Sequence, residues 1–144
     1  QLTLSQKVRL SGAVIVTTPQ DVALADAVKG VAMFRKVGVP ILGIVENMSF
    51  FACPHCGGRT EVFGHGGGRA EATRLEIPFL GEVPLDPAVR VGGDRGVPIV
   101  SSDPASPQSA AFRDIASKVL AAVGGKTAGR PAGLGGVLSR LRGR

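Results

Sequence analysis

Two cysteines two residues apart, Cys53 and Cys56, carry the sharpest chemical signal in the sequence, with Pro54 and His55 between them and Gly57 and Gly58 directly after. The spacing lets both thiolates converge on one metal ion or cluster, and Pro54 with the glycines supplies the tight turn of a metal knuckle. One such pair offers two ligands. A site of four thiolates then requires a second copy of the chain, which implies a homodimer with the site on its two-fold axis. Two other readings of the same residues stay open. A zinc-binding structural dimerisation module would use the same four thiolates, and a single-chain zinc site could recruit His55 and His65, although that spacing fits no common finger. A CPHC thiol-disulfide oxidoreductase is the other reading. Such enzymes start a helix at the first cysteine to depress its pKa, and here Gly57 and Gly58 would break that helix within its first turns.

Weaker signals surround the pair. Gly64-His65-Gly66-Gly67-Gly68 could present backbone N–H groups to an anion at the start of a helix, or act as a hinge, while Arg69 stands where a dinucleotide fingerprint needs its last glycine. Gly124-Gly125-Lys126-Thr127 imitates the end of a phosphate-binding loop, yet Leu120 occupies the first required glycine position and a helix precedes the run. Asn47 stands just beyond an apolar strand, at the carboxyl edge where open α/β sheets bind ligands, and its amide could read the edge of a base. Pro84 and Asp86 end another strand at the same edge. Asn47 could equally cap a turn, and Asp86 the helix near Ala88. No Asp, His and Ser spacing marks a triad, so no catalytic residue is assigned.

Periodicity supplies the elements that must position these residues. Residues 13–16 and 41–45 are short, branched apolar runs, the pattern of parallel strands buried on both faces, and residues 79–83 form a weaker third. Residues 21–37 place Leu24, Val28 and Val31 at helical spacing, with Thr18 or Asp21 as the cap and Gly38 as the stop. A shorter helix is predicted over 69–76. Ser106 and Pro107 are a cap and first-turn pair for a last helix, in which Phe112, Ile115, Ala116, Val119, Leu120 and Val123 form one stripe. The order βαβ, long loop, αβ predicts an α/β fold with a parallel sheet between helices. Three strands make a thin sheet and residues 1–10 read as the end of a helix, so the preceding strands are expected outside this chain.

The 144 residues, 44% of them hydrophobic, suit one domain, read as residues 1–123 with the Cys loop at 48–60. Lys and Arg number 17 against 11 Asp and Glu, but residues 124–144 hold five of the basic side chains and no acidic one. The body is thus nearly neutral and has neither the clustered basic face nor the stacking aromatics of a nucleic-acid binder. Seven of the last 21 residues are Gly, which predicts a flexible basic tail. No apolar run approaches the roughly 18 residues of a membrane span, and no signal peptide is evident, so a soluble cytoplasmic protein with no membrane partner is expected. Two closely spaced cysteines fit a reducing compartment.

Residues 17–24 (TTPQDVAL), 43–49 (GIVENMS), the CPHC of 53–56, 63–68 (FGHGGG) and 79–86 (FLGEVPLD), in this order, strongly resemble Mrp-type iron-sulfur cluster carrier ATPases, the ApbC-like branch of the MinD/ParA class of P-loop NTPases. The resemblance runs from Gln1 to about Val123. It implies the C-terminal portion of a doubly wound, mainly parallel sheet, P-loop NTPase-like. It also implies a homodimer in which Cys53 and Cys56 of each subunit hold a bridging [4Fe-4S] cluster for apo iron-sulfur proteins, with Asn47, Pro84 and Asp86 lining an adenine pocket. ATP and Mg2+ would act only in the intact protein. The family's phosphate-binding loop, signature lysine and switch segments normally precede the position of Gln1, so this chain alone is not expected to hydrolyse ATP.

Overall fold

Helices cover both faces of a three-stranded parallel sheet in the computed structural model, which describes residue 3 and residues 7–127. In chain order the elements are β1 (Ala13–Thr17), α1 (Asp21–Lys36), β2 (Ile41–Asn47), β3 (Phe51–Ala52), β4 (Arg59–Thr60), α2 (Gly67–Arg74), β5 (Phe79–Val83), α3 (Pro87–Asp94), α4 (Ile99–Ser102) and α5 (Pro107–Thr127). The sheet order is β1-β2-β5 with every pair parallel, and β3 and β4 form a separate antiparallel hairpin. Each parallel pairing therefore needs a helical crossover, which α1 and α2 supply.

Side-chain alternation along β2 divides the core in two. Ile44 is fully buried with Ile15, Ala27, Val31 and Ala72 under α1 and α2, whereas Val45 packs with Leu80 and Val83 against Ile115 and Val119 of α5. Burying each of the Val, Leu and Ile side chains among these contributes about 1.5–3 kcal/mol. Gly43 allows the strands to close: at φ +150° a Cβ there would lie 2.5 Å from the Pro78 carbonyl oxygen and 2.7 Å from Leu80. Gly38, at φ +72°, ends α1, with the Val37 and Gly38 N–H groups turning back to the Met33 and Arg35 carbonyls.

All three expected strands and the α1 and α5 helices are present, with differences at their ends. Neither Thr18 nor Asp21 caps α1. Gln20 is the N-cap without a side-chain bond, and the Thr18 hydroxyl instead donates to Gln20 Oε1 at 2.6 Å. The helix expected from 69 starts at Gly67, because the glycine run itself adopts helical backbone. Ser106 does cap α5, its Oγ accepting from the Ser109 N–H at 3.2 Å. Along α5 Ile115 and Val119 face the sheet, whereas Phe112 and Leu120 stay 37% and 71% exposed, since positions four apart at 112, 116 and 120 lie on a flank of the helix. The helix continues through Thr127, so Gly124-Gly125-Lys126-Thr127 lies within it. The remainder of the expected tail, and half of the helix end expected over 1–10, fall outside the described residues.

Candidate thiolate site and adjoining cleft

Between β2 and α2 the chain leaves the sheet, and the β3–β4 hairpin carries the cysteines at its tip. Two residue pairs, Phe51 with Thr60 and Ala52 with Arg59, form the ladder. The turn closes through Cys53 N–H to the Gly58 carbonyl at 2.9 Å and Gly57 N–H to the Cys53 carbonyl at 2.8 Å. Gly57 has φ +70°, the left-handed backbone that lets the chain reverse after Cys56. Both thiols are free, Cys56 exposed and Cys53 half-buried. The His55 backbone N–H, then that of Cys56 and the Cys56 thiol, hold the Cys53 thiol below its ordinary pKa by stabilising the thiolate. A thiolate present at lower pH competes better against protons for a metal. Cys53 is accordingly expected to be alkylated faster than Cys56 near neutral pH, with its rate-against-pH midpoint on the acid side of an ordinary thiol, as iodoacetamide labelling followed by peptide mass spectrometry would read. Equal rates at the two cysteines would contradict it.

Among the described residues no group of three or more His, Cys, Asp or Glu side chains gathers as a metal site. His65 is engaged elsewhere, at 3.2 Å from Ser49 Oγ and beside Arg59 Nη2. The turn therefore supplies two thiols, and the single-chain zinc arrangement with His65 is not assembled.

A carboxylate that sequence reading passed over organises the loop. Glu46, last but one in β2, is fully buried, and it accepts from Ser49 Oγ at 2.6 Å, Gly66 N–H at 3.1 Å and Gly68 N–H at 2.6 Å. Of the two readings of the glycine run, it does present N–H groups to an anion, and that anion is the chain's own Glu46. A Cβ on Gly68 would come 3.1 Å from both Cβ and Oε2 of Glu46, so a side chain there would press on the carboxylate. A charged residue inside the apolar run ILGIVEN was the available signal, since such a side chain stays buried only with partners. Ser49, His65 and Glu46 are the residue types of a hydrolytic triad, but Ser49 is fully buried and gives its proton to Glu46, so it is no nucleophile.

Asn47, Pro84 and Asp86 come together on one cleft of about 520 Å³, which Met48, Phe51 and Leu85 also line. Asn47 Oδ1 accepts from the Met48 N–H at 3.0 Å, leaving the amide nitrogen as its remaining donor. Asp86 caps α3 through the Ala88 N–H at 2.6 Å, and its other oxygen accepts from Gln108 Nε2 at 2.5 Å. Both residues thus make the local contacts open to them in the sequence and still face the cleft. Phe51 belongs to the hairpin and to the cleft wall at once, and Leu85 N–H donates to the Phe50 carbonyl at 2.7 Å, so the cysteine loop and the cleft share a boundary.

Residues 1–120 match the family model for the NUBPL iron-transfer P-loop NTPases of the ParA group. The chain is 53% identical over 120 residues to a mitochondrial iron-sulfur protein required for NADH dehydrogenase from Arabidopsis thaliana, covering 83% of this chain and 38% of that protein. It is 50% identical over 121 residues to an iron-sulfur cluster carrier protein from Salmonella typhimurium, covering 84% of this chain and 33% of the relative. The chain thus spans about a third of the length of these relatives. Among solved structures, a nucleotide-binding protein from Archaeoglobus fulgidus in complex with ADP aligns with TM-score 0.58 at 41% identity over 66% of this chain and 39% of its own. The Pyrococcus furiosus cell division ATPase MinD aligns with TM-score 0.60 at 29% identity, over 76% of this chain and 42% of that one.

Proposed function

The chain belongs to the NUBPL iron-transfer P-loop NTPases of the ParA family, and from that premise we propose that it is the cargo-holding part of an iron-sulfur cluster carrier. The observation that carries this reading is the Cys53–Cys56 turn, a pair of accessible thiols, one shifted toward thiolate, without a third ligating side chain among the described residues. Soft thiolates suit an iron-sulfur cluster, and two from each of two subunits complete a four-cysteine set. The cargo is then a [4Fe-4S] cluster bridging a homodimer, and apo iron-sulfur proteins receive it. An exposed hairpin suits a cargo that must leave, because the receiving thiolates have to reach the cluster.

Nucleotide enters this reading through the cleft. Asn47, Pro84 and Asp86 would meet the base of ATP, with Asn47 supplying the amide donor. Among the described residues nothing cradles phosphates, since Gly64–Gly68 is committed to Glu46 and Gly124–Thr127 is helical. Phosphate binding, Mg2+ and hydrolysis therefore belong to the longer protein, where Phe51 offers a direct mechanical route from the cleft to the hairpin. In that longer protein Asn47→Ala is expected to weaken ATP binding about tenfold with cluster content unchanged, as isothermal titration and iron assay would show. Undiminished affinity would remove Asn47 from the nucleotide site. No helix among the described residues is long and apolar enough to cross a membrane, and a reducing compartment such as the cytoplasm fits free thiols of this kind.

Anaerobic purification of the chain tests the function, with iron, sulfide and zinc measured per subunit alongside mass in solution and visible absorbance. A brown dimer containing iron and sulfide is the expected result. A colourless zinc dimer would replace the carrier by a structural module, and a metal-free monomer whose two cysteines cycle as a disulfide would replace it by a redox protein.

A further inference from the structure

A hairpin held by two residue pairs is too short to fix its own position, since isolated two-stranded ribbons are marginal in water. What fixes the thiol pair must therefore lie outside the ladder. Arg59, in β4 three residues beyond Cys56, has its guanidinium carbon 3.8 Å from the centre of the Phe50 ring and its Nη2 3.6 Å from Glu82 Oε2. The same Nη2 lies 2.9 Å from Nδ1 and 3.2 Å from Nε2 of His65. His65 Nδ1 in turn meets Ser49 Oγ at 3.2 Å, and Ser49 Oγ meets Glu46 Oε1 at 2.6 Å.

Proton counting sets the direction of this chain. The Glu46 carboxylate accepts, so the one Ser49 hydroxyl proton goes to Glu46. The Ser49 oxygen keeps lone pairs to accept from His65 with the imidazole proton on Nδ1; in that tautomer Nε2, at 3.2 Å, is the acceptor open to Arg59 Nη2, and the 2.9 Å approach of Nη2 to Nδ1 is a close contact rather than a hydrogen bond. Donation runs one way, from Arg59 through His65 and Ser49 to a carboxylate that also takes the Gly66 and Gly68 N–H groups. Glu46 and Ser49 begin the excursion that carries the cysteines, Gly66 and Gly68 end it, and Arg59 sits on its hairpin. One buried carboxylate thus ties down both ends and the middle of the loop.

We infer that Arg59 and His65 are positioning residues for Cys53 and Cys56, holding the thiol hairpin in register with the sheet through Ser49 and Glu46. The consequence for cluster loading rests on the carrier function proposed above; the positioning of the hairpin does not. Ser49 and Glu46 are buried, so substitutions there act on the whole fold, whereas His65 and Arg59 are partly exposed and suit the test.

The experiment compares the full chain with His65→Phe, His65→Asn and Arg59→Met, reading amide hydrogen exchange at Cys53 and Gly57, whose N–H groups close the turn, and at Ile44 in the core. His65→Phe and Arg59→Met are expected to speed exchange at Cys53 and Gly57 about tenfold while Ile44 keeps its rate. His65→Asn retains a side-chain N–H for Ser49 and is expected to recover a large part of the loss, which filling the site alone would not do. Anaerobic iron and sulfide loading is measured on the same samples and should rise in the order His65→Phe, His65→Asn, unmodified chain. Unchanged exchange at Cys53 and Gly57 in both His65→Phe and Arg59→Met would overturn the inference, as would equal acceleration at Ile44, which means global loosening. Accelerated hairpin exchange with no iron in any sample, the unmodified chain included, would support the positioning and reject the carrier function.

Discussion

Cys53→Ser and Cys56→Ser, each alone, are expected to strip the protein of at least about nine-tenths of its iron and sulfide while leaving its melting temperature within a degree or two. In a two-fold assembly one substitution removes two of four thiolates, because every change is made in both subunits. Serine cannot compensate. Its oxygen is hard where iron in a cluster prefers sulfur, and its hydroxyl keeps its proton at neutral pH where a thiol gives its proton up. Stability should stay intact because neither thiol is in the core: Cys56 is exposed, Cys53 is half-buried, and the turn closes through backbone groups that serine retains. The two variants also separate the alternatives. A structural zinc module would lose zinc and its dimer together, whereas a thiol-disulfide protein would lose redox cycling with no change in metal. Full iron loading in either serine variant would falsify the assignment of the pair as cluster ligands.

How much of this was legible in the sequence depends on where the determining contacts lie. The βαβ unit was legible because its signal is local: branched runs at Ile15 and Ile44 with Val28 and Val31 at helical spacing between them dictate buried strands and a packed helix. The turn at Cys53 was legible for the same reason, proline and glycines being sufficient to specify it. The cap of α1 was misread, since Thr18 and Asp21 both suit a cap by type and backbone geometry chose Gln20. Glu46 escaped notice because its partners, Gly66 and Gly68, stand 20 and 22 residues away, and backbone N–H groups leave no mark in residue identity. The hairpin was likewise hidden: two-residue strands such as β3 and β4 are too short for an alternation pattern. On the cleft, Asn47, Pro84 and Asp86 were found as strand-end residues, while Phe51 and Met48 became visible as neighbours of that site once the hairpin folded back on it.

Glu46 should be the costliest polar side chain to remove. Glu46→Ala leaves the Ser49 hydroxyl and the Gly66 and Gly68 N–H groups without their acceptor in a site that excludes water, and it opens a cavity beneath α2. Each buried donor left without its acceptor costs about 1–3 kcal/mol, and three are left here. A protein of this size has a total stability of roughly 5–15 kcal/mol, so the variant is expected to unfold at a much lower urea midpoint or to be insoluble. Glu46→Gln isolates the chemistry from the volume. Glutamine fills the same space, but one of its two terminal atoms is an NH2 donor, which then faces another donor wherever it is placed: Gly68 N–H on one side, Ser49 Oγ–H and Gly66 N–H on the other. A cost of about 1–3 kcal/mol is expected, read as a shift of the urea midpoint at constant slope. Placing the NH2 toward Ser49 is the gentler choice, since the hydroxyl can rotate and accept, but Ser49 then has no acceptor for its proton except His65 Nδ1, which moves the imidazole proton to Nε2 and sets it against the Arg59 guanidinium, a group with no acceptor. The glutamine variant should for that reason show faster exchange in the hairpin than its stability loss alone accounts for. A shift below about 0.5 kcal/mol in Glu46→Gln would mean that the carboxylate only fills space, and the registration of the thiol loop would have to be sought elsewhere.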